Sequence, residues 1–190
     1  PEQLHEIERR YDPELAFRPT GRGMAIVISV ALVAMSAYHF YAAGFGLMRE
    51  LLHRGIHLSF VLGLVFLLFP WRRGGGGAEP ARGRLVLAGV PVPDIVLALL
   101  AVGAAIYLPL LPPEVVSVRV GDPAAGDVFM GTALLVLTLE VARRSVGPTL
   151  PIIGLVFIAF AVFGPWAPGA LKHGGASWDA LINHLYMTNQ

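Results

Sequence analysis

The stretch "TLEVARRSVGPTLP", residues 138–151, decides how the chain is organised. It sets Glu140, Arg143, Arg144, a glycine and two prolines between two strongly apolar runs. It reads as the middle of one long helix, as a turn between two shorter ones, or as a catalytic cluster. A single helix from Asp127 to Trp166 would run about 60 Å at about 1.5 Å per residue. The hydrocarbon core of a bilayer is only about 30 Å thick. The chain must therefore turn, and Gly147 with Pro148 supplies the break, because proline disfavours helix at the residue before it.

The bilayer enters the argument through composition. Of 190 residues, 55% are hydrophobic and 14% are charged, where a soluble domain carries about a quarter charged residues. With a mean hydropathy of +0.66, the chain reads as an integral membrane protein. A net charge of +1 leaves no electrostatic footprint for nucleic acid. The absence of cysteine excludes disulfides, thiolate metal sites and cysteine nucleophiles. Residues 1–23 are polar, and no small-residue cleavage site closes the first apolar run, so that run is expected to be a retained span and not a signal peptide.

Five runs approach the roughly 20 apolar residues that a membrane helix needs: Met24–Ala43, Ile56–Trp71, Pro93–Leu111, Asp127–Ala142 and Pro148–Trp166. The expected fold is all-α, with about five transmembrane helices and a C-terminal interfacial amphipathic helix. Arg9, Arg10, Arg18, Arg22, Arg72, Arg73, Arg82, Arg84, Arg143 and Arg144 fall on one side, which is 10 of the 14 basic residues. The positive-inside rule makes that side, and the N-terminus with it, cytoplasmic. Tyr38, Phe40 and Tyr41 mark the outer interface of the first span. In "SWDALINHLYM", Trp178, Leu181, Ile182, Leu185 and Tyr186 share a helical face, with Ser177 as N-cap and Asp179 in the first turn, as in a helix lying along the membrane. "LHEIERRY" near the start is a weaker case of the same kind, and Gly74–Gly77 reads as a linker.

The candidate chemistry is sparse. His53 and His57 are four apart on one helical face, and His39 on the first span is a possible third member of a metal or haem site. All three also lie near span ends, where solvated histidines are ordinary. Glu140 stands four residues before Arg144 and three before Arg143, the favourable order for helical ion pairs. An acid in a membrane span is a functional candidate. Here it lies about one turn from a span end, and arginines that snorkel to the headgroups can neutralise it. The sequence therefore favours a structural pair over an ion site. "GGGGAEPARGR" lacks the Gly-Lys-Ser/Thr ending of a P-loop, and neither a nucleophile elbow nor a zinc-protease motif is present. Gly44 and Gly46 read as the end of span one. Gly103 with Ala104 and Ala105, and Gly131 with Ala133, suit close helix packing.

Four stretches together resemble the N-terminal part of a TRAP (tripartite ATP-independent periplasmic) transporter fused permease of the TAXI-associated type. They are "RRYDPELAFRPTGR", "YHFYAAGFGLMRELLHRGIHLSFVLGLVFLLFPWRR", "LTLEVARRSVGPTLPIIGLVFIAFAVFGPWAPG" and "SWDALINHLYMT". The central "PLLPPEVVSVRVGDPAAG" matches weakly. The resemblance implies a cytoplasmic segment over 1–23, a four-span small scaffold module over 24–144, and the start of a large transport module over 145–190. It implies no enzyme activity but secondary active uptake of organic acids, chiefly carboxylates, across a bacterial inner membrane. The solute would be delivered by a periplasmic substrate-binding protein, and sodium or proton coupling would reside in the remainder of the permease beyond Gln190. No cofactor, ion-binding or substrate-binding residue is carried over. Arg49, Arg54 and Arg119, on the periplasmic loops around 44–55 and 112–126, become docking candidates for the binding protein. The rival readings are a haem electron-transfer protein using His39, His53 and His57, and a stand-alone membrane scaffold.

Overall fold

The computed structural model describes residues 17–46, 49–71 and 85–188. The expectations for "LHEIERRY", for Gly74–Gly77, and for Arg9, Arg10, Arg72, Arg73, Arg82 and Arg84 lie outside those residues. The described chain is built of helices: α1 (Arg22–Phe45), α2 (Glu50–Leu68), α3 (Val92–Leu110), α4 (Pro113–Arg119), α5 (Ala125–Ser145), α6 (Thr149–Phe163) and α7 (Trp178–Ile182). A two-stranded hairpin, β1 (Val86–Leu87) and β2 (Val90–Pro91), precedes α3. Five of the helices, α1, α2, α3, α5 and α6 with its 3-10 extension to Trp166, are long and apolar enough to cross a membrane. The 19 residues of α2 and of α3 make each about 28 Å long, close to the thickness of a hydrocarbon core.

Burial is concentrated in three of the five long helices, a distribution compatible with a multi-pass membrane protein. Helices α2, α3 and α5 meet along a seam of Leu62, Phe66, Ala98, Ala101, Leu137 and Val141. The alanines of α3 let its backbone approach its neighbours closely, which is how helices associate where lipid removes the usual hydrophobic drive. Gly55 of α2 serves the same contact. A Cβ there would stand 2.5 Å from Pro109 Cγ and 2.9 Å from the Ala105 carbonyl oxygen. Helices α1 and α6 flank this core and leave most of their apolar surface uncovered, including Val30, Val33 and Phe40 on α1 and Ile152, Val156 and Phe157 on α6. Apolar faces of this extent belong against lipid or further protein.

The turn between α5 and α6 occupies Val146–Pro148. Gly147 takes φ 114 and donates its N–H to the Ala142 carbonyl at 3.2 Å, closing the last turn of α5 in the left-handed manner that glycine permits. The other end of α5 has Ala124 as its N-cap, and the Asp127 carboxylate accepts from the Ala124 N–H at 2.9 Å. This is the return half of a capping box.

Three boundaries differ from the sequence reading. Helix α2 begins at Glu50, not Ile56, so Glu50, His53 and Arg54 lie in its first turns, ahead of the span as the sequence placed it, and His57 lies one turn further in. Glu50 there complements the helix N-terminus, and charged side chains are tolerated at a span end because they reach the headgroups. The 112–126 connection contains α4. The hairpin was not expected; its Ala88–Gly89 turn has φ 50 and 87, the primed geometry that matches strand twist, and the Ala88 carbonyl accepts from Gly21 N–H at 2.9 Å. Val90 is fully buried against Met24, Ile28 and Leu64, which ties the hairpin to the start of α1.

The C-terminal segment also differs. Ser177 Oγ caps α7 by accepting from Ala180 N–H at 3.2 Å. A π-helical turn over Asn183–Met187 follows and splits the face expected to lie on the membrane. Leu181, Ile182 and Met187 are buried, whereas Leu185 is 53% exposed. Ile182 and Tyr186 sit over Gly131 of α5, and Tyr186 Oη donates to the Ala104 carbonyl at 2.8 Å. The segment is thus seated on the bundle. Burial pushes the Tyr186 phenol above its ordinary range. A Cβ at Gly131 would stand 2.5 Å from Ile182 Cγ2, and Ile182 is fully buried and has no room to yield. Gly131→Val should therefore cost about 1–3 kcal/mol by overpacking and release the segment. Limited proteolysis between Ser177 and Met187 should become faster in the variant; unchanged cleavage would contradict this packing.

Candidate functional site

The charged residues gather at the two ends of the bundle. At one end Arg144, near the C-terminus of α5, has a side chain that is 0% exposed. Its Nη1 donates to Asp94 Oδ1 at 2.9 Å, its Nε donates to Glu140 Oε1 at 2.6 Å, and the Phe69 carbonyl accepts from Nη1 at 3.4 Å. Its guanidinium also lies 4.9 Å from the Phe66 ring centre and 5.2 Å from that of Trp71, within the range of cation–π attraction. One side chain thus holds α5, the end of α2 and the start of α3. Arg18 adds the segment before α1 by donating from Nη2 to Asp94 Oδ2 and to the Phe69 carbonyl at 3.4 Å, while Phe17 packs edge-on against Phe69.

Helix geometry explains why these groups are here. Asp94 lies in the first turn of α3 and Arg143 and Arg144 in the last turn of α5, each of the sign that complements its helix terminus. Antiparallel packing brings those two termini together. Arg143 completes the cluster on the exposed side. Its Nε donates to Glu140 Oε2 at 2.7 Å, its Nη2 to Glu140 Oε1 at 2.8 Å and to the Trp71 carbonyl at 3.0 Å. Three guanidiniums thus share two carboxylates.

The opposite end is built on Asp127, which is fully buried. Its Oδ1 accepts from Tyr107 Oη at 3.1 Å and from Arg119 Nη1 at 3.2 Å. Asn183 Oδ1 accepts from Gly121 N–H at 3.0 Å, so α4 and the C-terminal segment close over the same end. Leu108, Val116 and Met187 form the apolar layer beneath.

The docking candidates are placed unevenly. Arg119 is spent on Asp127, and Arg49 Nη2 donates to the Pro109 carbonyl at 3.2 Å. Arg54 pairs with Glu50 one turn away, with both side chains more than half exposed. Only Arg54 among the three stands on an open surface without also tying helices together. A salt bridge so exposed contributes about 0–1 kcal/mol.

The three histidines converge on the α1–α2 seam at the Asp127 end. His39 Nε2 and His57 Nδ1 are 2.9 Å apart, and Tyr38 Oη is 2.9 Å from His53 Nδ1. The sequence showed the four-residue spacing of His53 and His57, but not that His39 would face His57 across the seam. A haem iron between two imidazoles, with bonds of about 2 Å each, would hold their nitrogens about 4 Å apart. These two are instead joined by a hydrogen bond. Among the described residues no group of three or more His, Cys, Asp or Glu is arranged to hold a metal ion. Asp94, Arg18, Asp127 and Tyr107 were not singled out by the sequence. For Asp94 and Asp127 the only signal was that an apolar run began with an acid, in "PVPDIV" and in "AGDVFM". Comparison with family models, curated proteins and solved structures finds no match for this chain.

Proposed function

We propose that the chain is the scaffold part of the membrane permease of a TRAP-type secondary transporter, as the resemblance of its four sequence stretches suggests. One observation supports the scaffold role above the others. Among the described residues, every carboxylate in the five spans has an arginine partner: Glu50 with Arg54, Asp94 with Arg18 and Arg144, Asp127 with Arg119, and Glu140 with Arg143 and Arg144. Glu50 and Arg54 pair within one helix, whereas the other carboxylates join segments through their arginines; oxygens so engaged are not offered to a travelling cation. The uncovered apolar faces of α1 and α6 suit a module that meets lipid on one side and further permease on the other. In this reading the chain resides in a bacterial inner membrane, the Arg144 end faces the cytoplasm and the Asp127 end faces the periplasm. Organic acids reach the permease on a periplasmic binding protein and enter with sodium or protons through the transport module.

Membrane vesicles containing the intact permease test the proposal. Carboxylate uptake should require the binding protein and an imposed sodium or proton gradient, and should survive ATP depletion. Arg54→Glu should lower that uptake several-fold with the protein level unchanged. Uptake that needs ATP, or that ignores the binding protein, would refute the reading. Orientation has its own readout, because a chain without cysteine accepts single labels cleanly. Val118→Cys, 81% exposed, should react with an impermeant maleimide from the periplasm. Val146→Cys, 66% exposed, should react only after the cells are opened; the reverse pattern would invert the topology.

A further inference from the structure

We infer that His39 and His57 form a protonation-controlled latch between α1 and α2, a property independent of the transport assignment. The hydrogens follow from the partners. His39 Nδ1 lies 2.7 Å from the Met35 carbonyl oxygen, which can only accept, so His39 Nδ1 carries its hydrogen. In the neutral ring Nε2 is then the acceptor, and the hydrogen in the 2.9 Å contact belongs to His57 Nδ1. His57 is exposed and His39 half-buried.

Protons added to this pair act in sequence. The first enters at His57 Nε2, the ring nitrogen outside the shared bond, on the more exposed of the two side chains. It leaves the His57–His39 bond in place and makes it charge-assisted, which strengthens it. A second proton has one place to go, His39 Nε2. It turns the acceptor into a donor facing a donor and puts two cations in contact. The bond then breaks and the rings repel. The neighbouring Tyr38–His53 contact does not behave this way, because a phenol hydroxyl both donates and accepts and can answer either state of His53.

Among the described residues, His53 is the other ionisable group against the pair: its ring centre lies 5.6 Å from that of His39, so its own protonation adds to the repulsion on His39. On α2, Arg54 is bonded to Glu50 and Arg49 to the Pro109 carbonyl. On α3, Tyr107 is bonded to Asp127. On α1, Tyr38 is bonded to His53. The buried apolar contacts between α1 and α2, Met24 and Ile28 with Leu64, lie toward the Arg144 end. Loss of the histidine bond leaves Tyr38–His53 as the remaining polar tie at the other end of α1, so that end loosens first while the apolar contacts hold. Histidine is the side chain whose ordinary titration, near pH 6.5, makes such a device work in an accessible range.

Heteronuclear NMR of the histidine ring nitrogens, on the whole chain in lipid nanodiscs, tests the latch. We expect Nδ1–H tautomers for both rings, a coupling across the shared hydrogen bond, and protonation of the rings as a coupled pair. His57→Gln should leave His39 with a single step. Spin labels at Phe40→Cys and Leu52→Cys should give a narrow distance distribution above the second step and a longer, broader one below it. With His39→Gln the distribution should not respond to pH. Independent titration of the two rings, or a distribution that stays narrow through both steps, would overturn the inference.

Discussion

Replacing Arg144 by methionine should lower the stability of the bundle by about 3–5 kcal/mol, the usual cost of removing one partner from a buried ion pair. For a chain of this size that is a fall in thermal midpoint on the order of 10 °C, measurable by unfolding in mild detergent. The loss is large because Arg144 serves two carboxylates and the Phe69 carbonyl at once, and its side chain has no solvent to take its place. Asp94 would keep Arg18 alone, and Glu140 would keep Arg143. Arg144→Lys should recover little, because an ammonium is a single point and cannot span Asp94 and Glu140 as the guanidinium fork does. A midpoint shift under about 2 °C for Arg144→Met would mean that the network is not what joins these helices.

Asp127→Ala should be the second most damaging change, at about 2–3 kcal/mol. It leaves Arg119 without its carboxylate and strips acceptors from the Tyr107 hydroxyl and the Ala124 N–H together. Asp127→Asn keeps the shape and the capping acceptor but loses the charge, so it should recover part of the loss. Because the two ends share no partner, Asp127→Ala and Arg144→Met should add within about 0.5 kcal/mol. Strong coupling between them would show that the ends are not independent.

Legibility in the sequence followed distance along the chain. The five spans could be read because each is a local run of apolar residues, and the turn at Gly147 because two adjacent residues dictate it. Glu140 and Arg144 could be seen as a possible pair because four residues bring side chains to one helical face. Asp94 could not be seen as the third member. It stands 50 residues from Arg144, and nothing local tells an acid that fastens three segments from one that merely begins a helix. The same holds for Asp127, whose partner Tyr107 is 20 residues away; His39 was visible as a third histidine, but its facing His57 was not. The start of α2 was misplaced because Glu50, His53 and Arg54 look like loop residues when charge alone is read, although a helix end at a membrane surface accommodates them. The C-terminal segment was misread for a related reason: an apolar face does not say whether lipid or Gly131 lies against it.

On the scaffold reading, Asp94, Asp127 and Glu140 hold segments together and do not carry ions. Binding of radiosodium to the purified chain, measured by scintillation proximity alongside proton release, tests that claim most directly. No saturable binding above empty lipid is expected for the native chain, and none for Glu140→Gln, which should change only stability. Saturable sodium binding, or proton release on adding sodium, that disappears in Glu140→Gln would contradict it and make Glu140 an ion ligand.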